Sequence, residues 1–279
     1  MINILLPTDF SENANNAIAY AMQLYKKKTC VFYLMHSYTP EIYRVDYVLG
    51  SPGQFGLPDD HQYISETQLE ALSNKLQKTY KNTRHTFVTH TAFNSLTDEV
   101  DKTVQNEGID LIVMGTQGAT GARELFFGSN AVHVLKNAKV PVITVPANYK
   151  YKPVKEILFP TDFEIDYKKA NLKYLFDLTK LHDARLHIMH LKAPKGLTKE
   201  QDKNQKQLSK LMKGSYKYHD LPDQELMSAI NAFQKQVKVN LLVMVHNKHT
   251  FLERLFIEPV IKKIGLHALI PFMVLPYTD

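Results

Sequence analysis

The segment Ile4-Leu5-Leu6-Pro7-Thr8-Asp9-Phe10 returns as Ile157-Leu158-Phe159-Pro160-Thr161-Asp162-Phe163, a displacement of 153 residues from Pro7 to Pro160. A chain that repeats itself at this distance is built from two related units rather than one large core. At 279 residues, each unit then has the ordinary size of a domain. Further echoes agree. Met35-His36 returns as Met189-His190, Leu111-Ile112-Val113-Met114 as Leu241-Leu242-Val243-Met244, and Val145-Pro146 as Leu275-Pro276. The last two are displaced by only 130 residues, so the second copy is about 23 residues shorter. The missing length falls on Tyr43 to Gln62, rich in Gly, Pro and Asp, which reads as a long loop or lid. The units are placed at 1–147 and 153–279, joined by a linker over 147–152.

Within the first copy, short apolar runs alternate with segments of helical period. Strands are expected at 2–6, 30–37, 84–90, 110–114 and 140–145, and helices at 12–26, 63–81, 94–107 and 129–138. The second copy repeats this with strands at 155–159, 184–191, 215–219, 239–245 and 270–275, and helices at 168–181, 198–213, 222–236 and 257–265. Continuous apolar strands joined by helices form parallel sheets covered on both faces, so the fold class is α/β, two tandem doubly wound sheets. The longest apolar runs, 109–114 and 268–275, fall short of the roughly 20 residues of a membrane span. The N-terminal run reads as a strand rather than a secretory leader, and a cytoplasmic protein is expected.

Charge narrows the partners. Lys and Arg exceed Asp and Glu by 34 to 28, a mild excess that is dispersed along the chain. Lys26-Lys27-Lys28 closes a helix, where cations suit the negative end of the macrodipole, so no nucleic-acid partner is expected. Cys30, the single cysteine, reads as a small core residue, with a reactive thiol as the alternative.

The most informative stretch follows the fourth strand: Gly115-Thr116-Gln117-Gly118, then nine residues, then Gly128-Ser129 opening a helix. Glycines past a strand let backbone N–H groups approach phosphate oxygens, and a helix N-terminus adds aligned donors. Pro7-Thr8-Asp9 lies at another strand's carboxyl end, where open α/β sheets bind ligands. Asp9 is read either as a ligand contact or as a cap for the following helix. Arg123 either approaches phosphates or is solvated, while Phe126 and Phe127 anchor the loop.

Gly115-x2-Gly118-x9-Gly128-Ser129, with Pro7-Thr8-Asp9, resembles the ATP-binding class of the universal stress protein family. The resemblance implies an adenine-nucleotide alpha-hydrolase-like sheet of strand order 3-2-1-4-5. It implies ATP, or ADP or AMP, in the first copy, with magnesium as a further candidate. Pro7, Thr8, Asp9 and Met114 would belong to the nucleotide site, Asp9 near adenine and ribose, and Ser37 would meet the base through its backbone. Gly115 and Gly118 would pass along ribose and phosphates, and Gly128, Ser129 and the N–H of Asn130 would hold the outer phosphates. Pairing of the last strands, 140–145 with 272–275, would make the chain an internal pseudo-dimer. A homodimer of whole chains and an unidentified protein partner stay open.

In the second copy the corresponding positions are Val245, Lys248, Glu258 and Pro259. Glu258 would repel phosphate and Pro259 lacks a backbone donor. Hydrogen bonds to charged groups are worth roughly 1.5–3 kcal/mol each, against about 8 kcal/mol for a micromolar ligand. The second copy is therefore expected not to bind. Its Asp162 is read as structural, and His246 and His249 as loop histidines rather than metal ligands. Three functions follow: a nucleotide-responsive stress protein, a slow ATPase or self-phosphorylating protein, and a ligand-free scaffold. The absence of a Walker-type run and of a nominated base leaves the second with little support.

Overall fold

The structure, a computed structural model, describes residues 1–38, 60–116, 128–192, 196–212, 216–246 and 270–277. The first half contributes β1 (Ile2–Pro7), α1 (Glu12–Leu24), β2 (Cys30–Tyr38), α2 (Asp60–Tyr80), β3 (His85–Phe93), α3 (Leu96–Asn106), β4 (Leu111–Gly115), α4 (Ser129–Asn137) and β5 (Val142–Val145). The second contributes β6 (Glu156–Pro160), α5 (Lys173–His182), β7 (Arg185–Leu191), α6 (Lys199–Leu211), β8 (Tyr216–Leu221), α7 (Leu226–Gln236), β9 (Leu241–His246) and β10 (Phe272–Pro276). The expected helix over 257–265, and the expected loop up to residue 59, lie outside the described residues. Residues 60–62 are already helical, so that loop ends earlier than Gln62.

All ten strands form one sheet in the order β3-β2-β1-β4-β5-β10-β9-β6-β7-β8. Each half thus has the order 3-2-1-4-5. Every pairing is parallel except the seam, where β10 runs antiparallel to β5 with Phe272 opposite Thr144, Met273 opposite Ile143 and Val274 opposite Val142. Central strands are buried on both faces, as the side chains of β1 and β4 show, whereas the outermost strands β3 and β8 are half exposed. Among the described residues, no helix is long and apolar enough to cross a membrane.

The seam is a core as well as a ladder. On one face Ile4, Leu6 and Ile18 belong to the same buried cluster as Phe159, Leu175 and Leu208. On the other, Leu5, Ile112 and Val134 join Leu158, Ile230 and Phe233. The segment between the halves is held too. Asn16 Nδ2 donates to the carbonyls of Pro146 and Tyr149 at 3.0 Å each, while Asn240 Oδ1 accepts from the backbone of Lys155 and Glu156 at 2.8 and 3.1 Å.

Local chemistry sets the helix starts. Ser11, Ser95, Thr198 and Glu225 each cap a helix with a side-chain oxygen, Thr198 with Gln201 in a reciprocal capping box. α5 begins at Lys173, later than the expected 168. Tyr167 explains the delay: its ring is buried against Phe163, its hydroxyl bonds Thr161, and its backbone N–H donates to Gln207 Oε1 at 2.7 Å. Lys26-Lys27-Lys28 follows α1 in an exposed turn rather than closing the helix itself. Cys30 is buried, and burial pushes its thiol up to about 12, as befits a core residue.

Candidate functional site

Both copies of Pro-Thr-Asp-Phe build the same turn. Phe10 stands at φ 62° and Phe163 at φ 61°, in the left-handed region that side chains rarely enter. Two bonds hold each turn. The Phe10 N–H donates to Thr8 Oγ1 at 3.0 Å and the Ser11 N–H to Asp9 Oδ1 at 3.1 Å; Phe163 and Glu164 do the same with Thr161 and Asp162 at 3.3 and 3.1 Å. The cap of α1 is therefore Ser11, whose hydroxyl accepts from the Ala14 N–H at 3.2 Å, and not Asp9. Asp9 braces the turn and remains exposed. Each phenylalanine also packs on a histidine near the end of the neighbouring strand, Phe10 on His36 and Phe163 on His190, with ring centroids 4.8 Å apart in both.

Beside the first turn lies a cavity of about 220 Å³. Of the expected residues, Pro7, Thr8, Asp9, Ser37, Met114, Gly115, Gly128, Ser129 and Asn130 all line it. Gly118, Arg123, Phe126 and Phe127 lie outside the described residues. The sequence reading missed Ala14, Leu96, Thr116 and Ala131, which also contribute to the wall. Thr116 and Ala131 adjoin residues it had marked, whereas a glycine motif carries no signal for Ala14 on α1. Leu96 could have been found from Ser95, whose cap position directs the first turn of α3.

Two features shape the floor and the rim. Gly115 is buried at the end of β4, and a Cβ there would lie 2.8 Å from the Cγ and Nδ2 of Asn13, closer than real contacts allow. At the rim, the Gly128 N–H donates to the Thr116 carbonyl at 2.7 Å, bringing the start of α4 back to the end of β4. Gly128 occupies the cap position of α4 and offers no side-chain bond, unlike the caps of α1, α3, α6 and α7. The first N–H groups of a helix have no intrahelical partner, and here they open onto the cavity with the positive end of the helix dipole. Among the described lining residues Asp9 is the one with a charged side chain.

Leu96 is positioned by a polar clamp. Glu99, in the first turn of α3, accepts from His90 Nε2 at 2.7 Å and from Asn94 Nδ2 at 3.0 Å. Burial alone would raise the Glu99 carboxyl, but bonds from Asn94 and His90 and the charge of Lys102 hold it below the ordinary carboxylate value. A depressed value stabilises the fold above the ordinary carboxylate range, and that contribution is lost as pH falls through the folded-state value. Glu99→Gln should therefore lower stability near pH 7 by about 1–2 kcal/mol, with the gap to wild type closing below about pH 4. Chemical denaturation at both pH values checks this, and a gap that persists in acid would contradict it.

In the second half Val245 is buried in β9 and His246 ends it, while Lys248, His249, Glu258 and Pro259 lie outside the described residues. Among the described residues no group of three or more His, Cys, Asp or Glu is arranged to hold a metal ion.

Comparison with known proteins fits this geometry. The sequence profile of the universal stress protein family matches residues 1–146. Universal stress protein MJ0531 of Methanocaldococcus jannaschii is 32% identical over 158 residues, covering 55% of this chain and 84% of the relative. Universal stress protein MJ0577 of the same organism is 30% identical over 154 residues, covering 51% and 93%. The crystal structure of a universal stress protein from Archaeoglobus fulgidus superposes with a TM-score of 0.65 at 19% identity, covering 99% of this chain and 97% of that one, so the fold is shared across both halves. The cytoplasmic domain of a prokaryotic cation chloride cotransporter shares the fold as well, with a TM-score of 0.54 at 11% identity over 98% and 95% of the two chains. By the match over 1–146 and the identity to these relatives, the chain belongs to the universal stress protein family.

Proposed function

We propose that the first half binds ATP or a related adenine nucleotide in this cavity, and that the protein is a nucleotide-responsive stress protein. The observation that carries the reading is the start of α4. A helix N-terminus without a side-chain cap faces a cavity whose opposite walls are Pro7-Thr8-Asp9 and Gly115. Such an end attracts phosphate through its free N–H groups and its dipole. Among the described lining residues none is lysine or arginine, so backbone N–H groups and hydroxyls supply the donors on this part of the wall. The base and ribose would occupy the Asp9 and Ser37 side, and the outer phosphates the Gly128-Ser129-Asn130 side. Among the described lining residues Asp9 is the single carboxylate, and its Oδ1 already braces the turn. A magnesium ion here would be held by the phosphates, with Asp9 as the described side chain able to join them.

Ser129→Pro tests this with little harm to the fold. Proline is well accepted at the first position of a helix, yet it removes one N–H and one hydroxyl. Each lost bond to a charged group is worth roughly 1.5–3 kcal/mol, so affinity for ATP should fall by at least about 10- to 100-fold, the effect of losing one of the two. Isothermal titration with ATP and magnesium should show near one site per chain in the wild type. Weakened binding in Ser129→Pro and Gly118→Val, at unchanged thermal stability, supports the site. Equal affinity in all three proteins would place the nucleotide elsewhere, and no binding in the wild type would leave a ligand-free scaffold.

A further inference from the structure

Far from the cavity, on the α7 face of the second half, three side chains from three strands form a hydrogen-bonded chain. Glu156 Oε2 lies 2.6 Å from His187 Nε2, and His187 Nδ1 lies 2.9 Å from His219 Nε2. His187 is only 2% exposed. Phe233 of α7 closes over both rings, with centroids 5.4 Å from His187 and 4.8 Å from His219. The backbone of Glu156 is pinned by Asn240, whose Oδ1 accepts its N–H and whose N–H donates to its carbonyl at 2.8 Å.

The chemistry of the partners orders the protons. A carboxylate can only accept, so His187 carries its proton on Nε2; its Nδ1, with both rings neutral, accepts from the Nε2–H of His219. Every group inside the chain is then satisfied. One further proton leaves the chain intact, because His187 Nδ1 can become the donor and His219 Nε2 the acceptor while Glu156 balances the charge; a second, on His219, sets two donors against each other. The neighbouring charges are Arg185, 3.8 Å from Glu156 Oε1, and Lys217 on the strand of His219 itself. α7 offers Phe233, and its one charged residue, Lys235, is exposed. The nearest carboxylate, Glu156, is already engaged by His187 and Arg185. No acidic group in this set faces His219.

We propose that the Glu156–His187–His219 chain is an acid-released latch that holds β8 and α7 on the sheet until His219 is protonated. Burial holds His219 below the ordinary imidazole value, and His187 and Lys217 add to this. The opened edge takes the proton near pH 6.5, whereas the closed form takes it only at lower pH. Opening therefore grows as pH falls below about 6.5 and levels off below the closed-form value. Asp220, on the same strand, does not share this window: burial would raise it, but bonds from His190 and Lys192 keep it below the ordinary carboxylate value.

Amide hydrogen exchange of the full chain between pH 8 and 5.5, corrected for intrinsic exchange, tests the latch. Protection over 216–221 and 226–236 should drop by up to about tenfold per pH unit below pH 6.5, the slope of a single proton, while β1 and β4 keep theirs. His219→Gln retains an N–H donor for His187 but cannot be protonated, and should flatten the response. A flat wild-type profile, or the same slope in His219→Gln, overturns the proposal. Should that variant not fold, ring-nitrogen NMR of the wild type decides. His219 staying neutral until exchange rises supports the latch, whereas its titration with β8 still protected overturns it.

Discussion

Expressed alone, residues 1–147 are expected not to persist as a folded monomer. Separation removes β10 and leaves Val142–Val145, all buried in the whole chain, as an open apolar edge. It also cuts both hydrophobic clusters, each of which runs from one half into the other. An unpaired apolar strand edge is a template for association. Sedimentation of the 1–147 fragment should show self-association or aggregation. A monomer that melts cooperatively at the temperature of the whole chain would mean that the shared core contributes nothing.

The second large effect concerns Gly115. Replacing it by alanine sets a Cβ 2.8 Å from Asn13 Cγ and Nδ2 and 3.0 Å from Oδ1, and Asn13 is itself buried. Overpacking of this kind costs about 1–3 kcal/mol, which in a chain of this size lowers the melting temperature by several degrees. The wall behind the glycine is a side chain, so the strain is relievable. Gly115→Ala combined with Asn13→Ala should be more stable than the sum of the two single changes predicts, by about 0.5–3 kcal/mol. Strict additivity would show that β4 shifts instead of pressing on Asn13. Gly115 would then owe its identity to the ligand rather than to the packing behind it.

The repeat made the architecture legible. Two copies of a βα alternation, with apolar strands too continuous for a sheet wet on one face, specify a doubly wound sheet, and the echo of Val145-Pro146 in Leu275-Pro276 marks the strands that meet at the seam. Residues of the cavity wall were legible where backbone chemistry demanded a residue type, as at Gly115, Gly128 and Ser129. They were not where a wall is merely apolar, as at Ala14 and Leu96. The cap of α1 stays open in the sequence because Asp9 and Ser11 are both good capping residues, and only the left-handed Phe10 between them decides which one reaches the helix. Residues 168–172 read as helical because the burial of Tyr167 just before them depends on Thr161, Phe163 and Gln207, the last forty residues away. The histidine chain was illegible for the same reason, since its members come from three strands about 31 residues apart.

The antiparallel seam has a consequence for assembly. β5 and β10, Val-Ile-Thr-Val and Phe-Met-Val-Leu-Pro, are the strands best suited to recruit another chain, and each already has the other as its neighbour. The strands that terminate the sheet, β3 and β8, carry histidine, threonine, lysine and aspartate among their apolar residues. Such edges resist end-to-end growth. By joining its two adhesive borders within one polypeptide, the chain makes its pairing independent of concentration, so dilution that would dissociate a two-chain counterpart leaves this sheet whole.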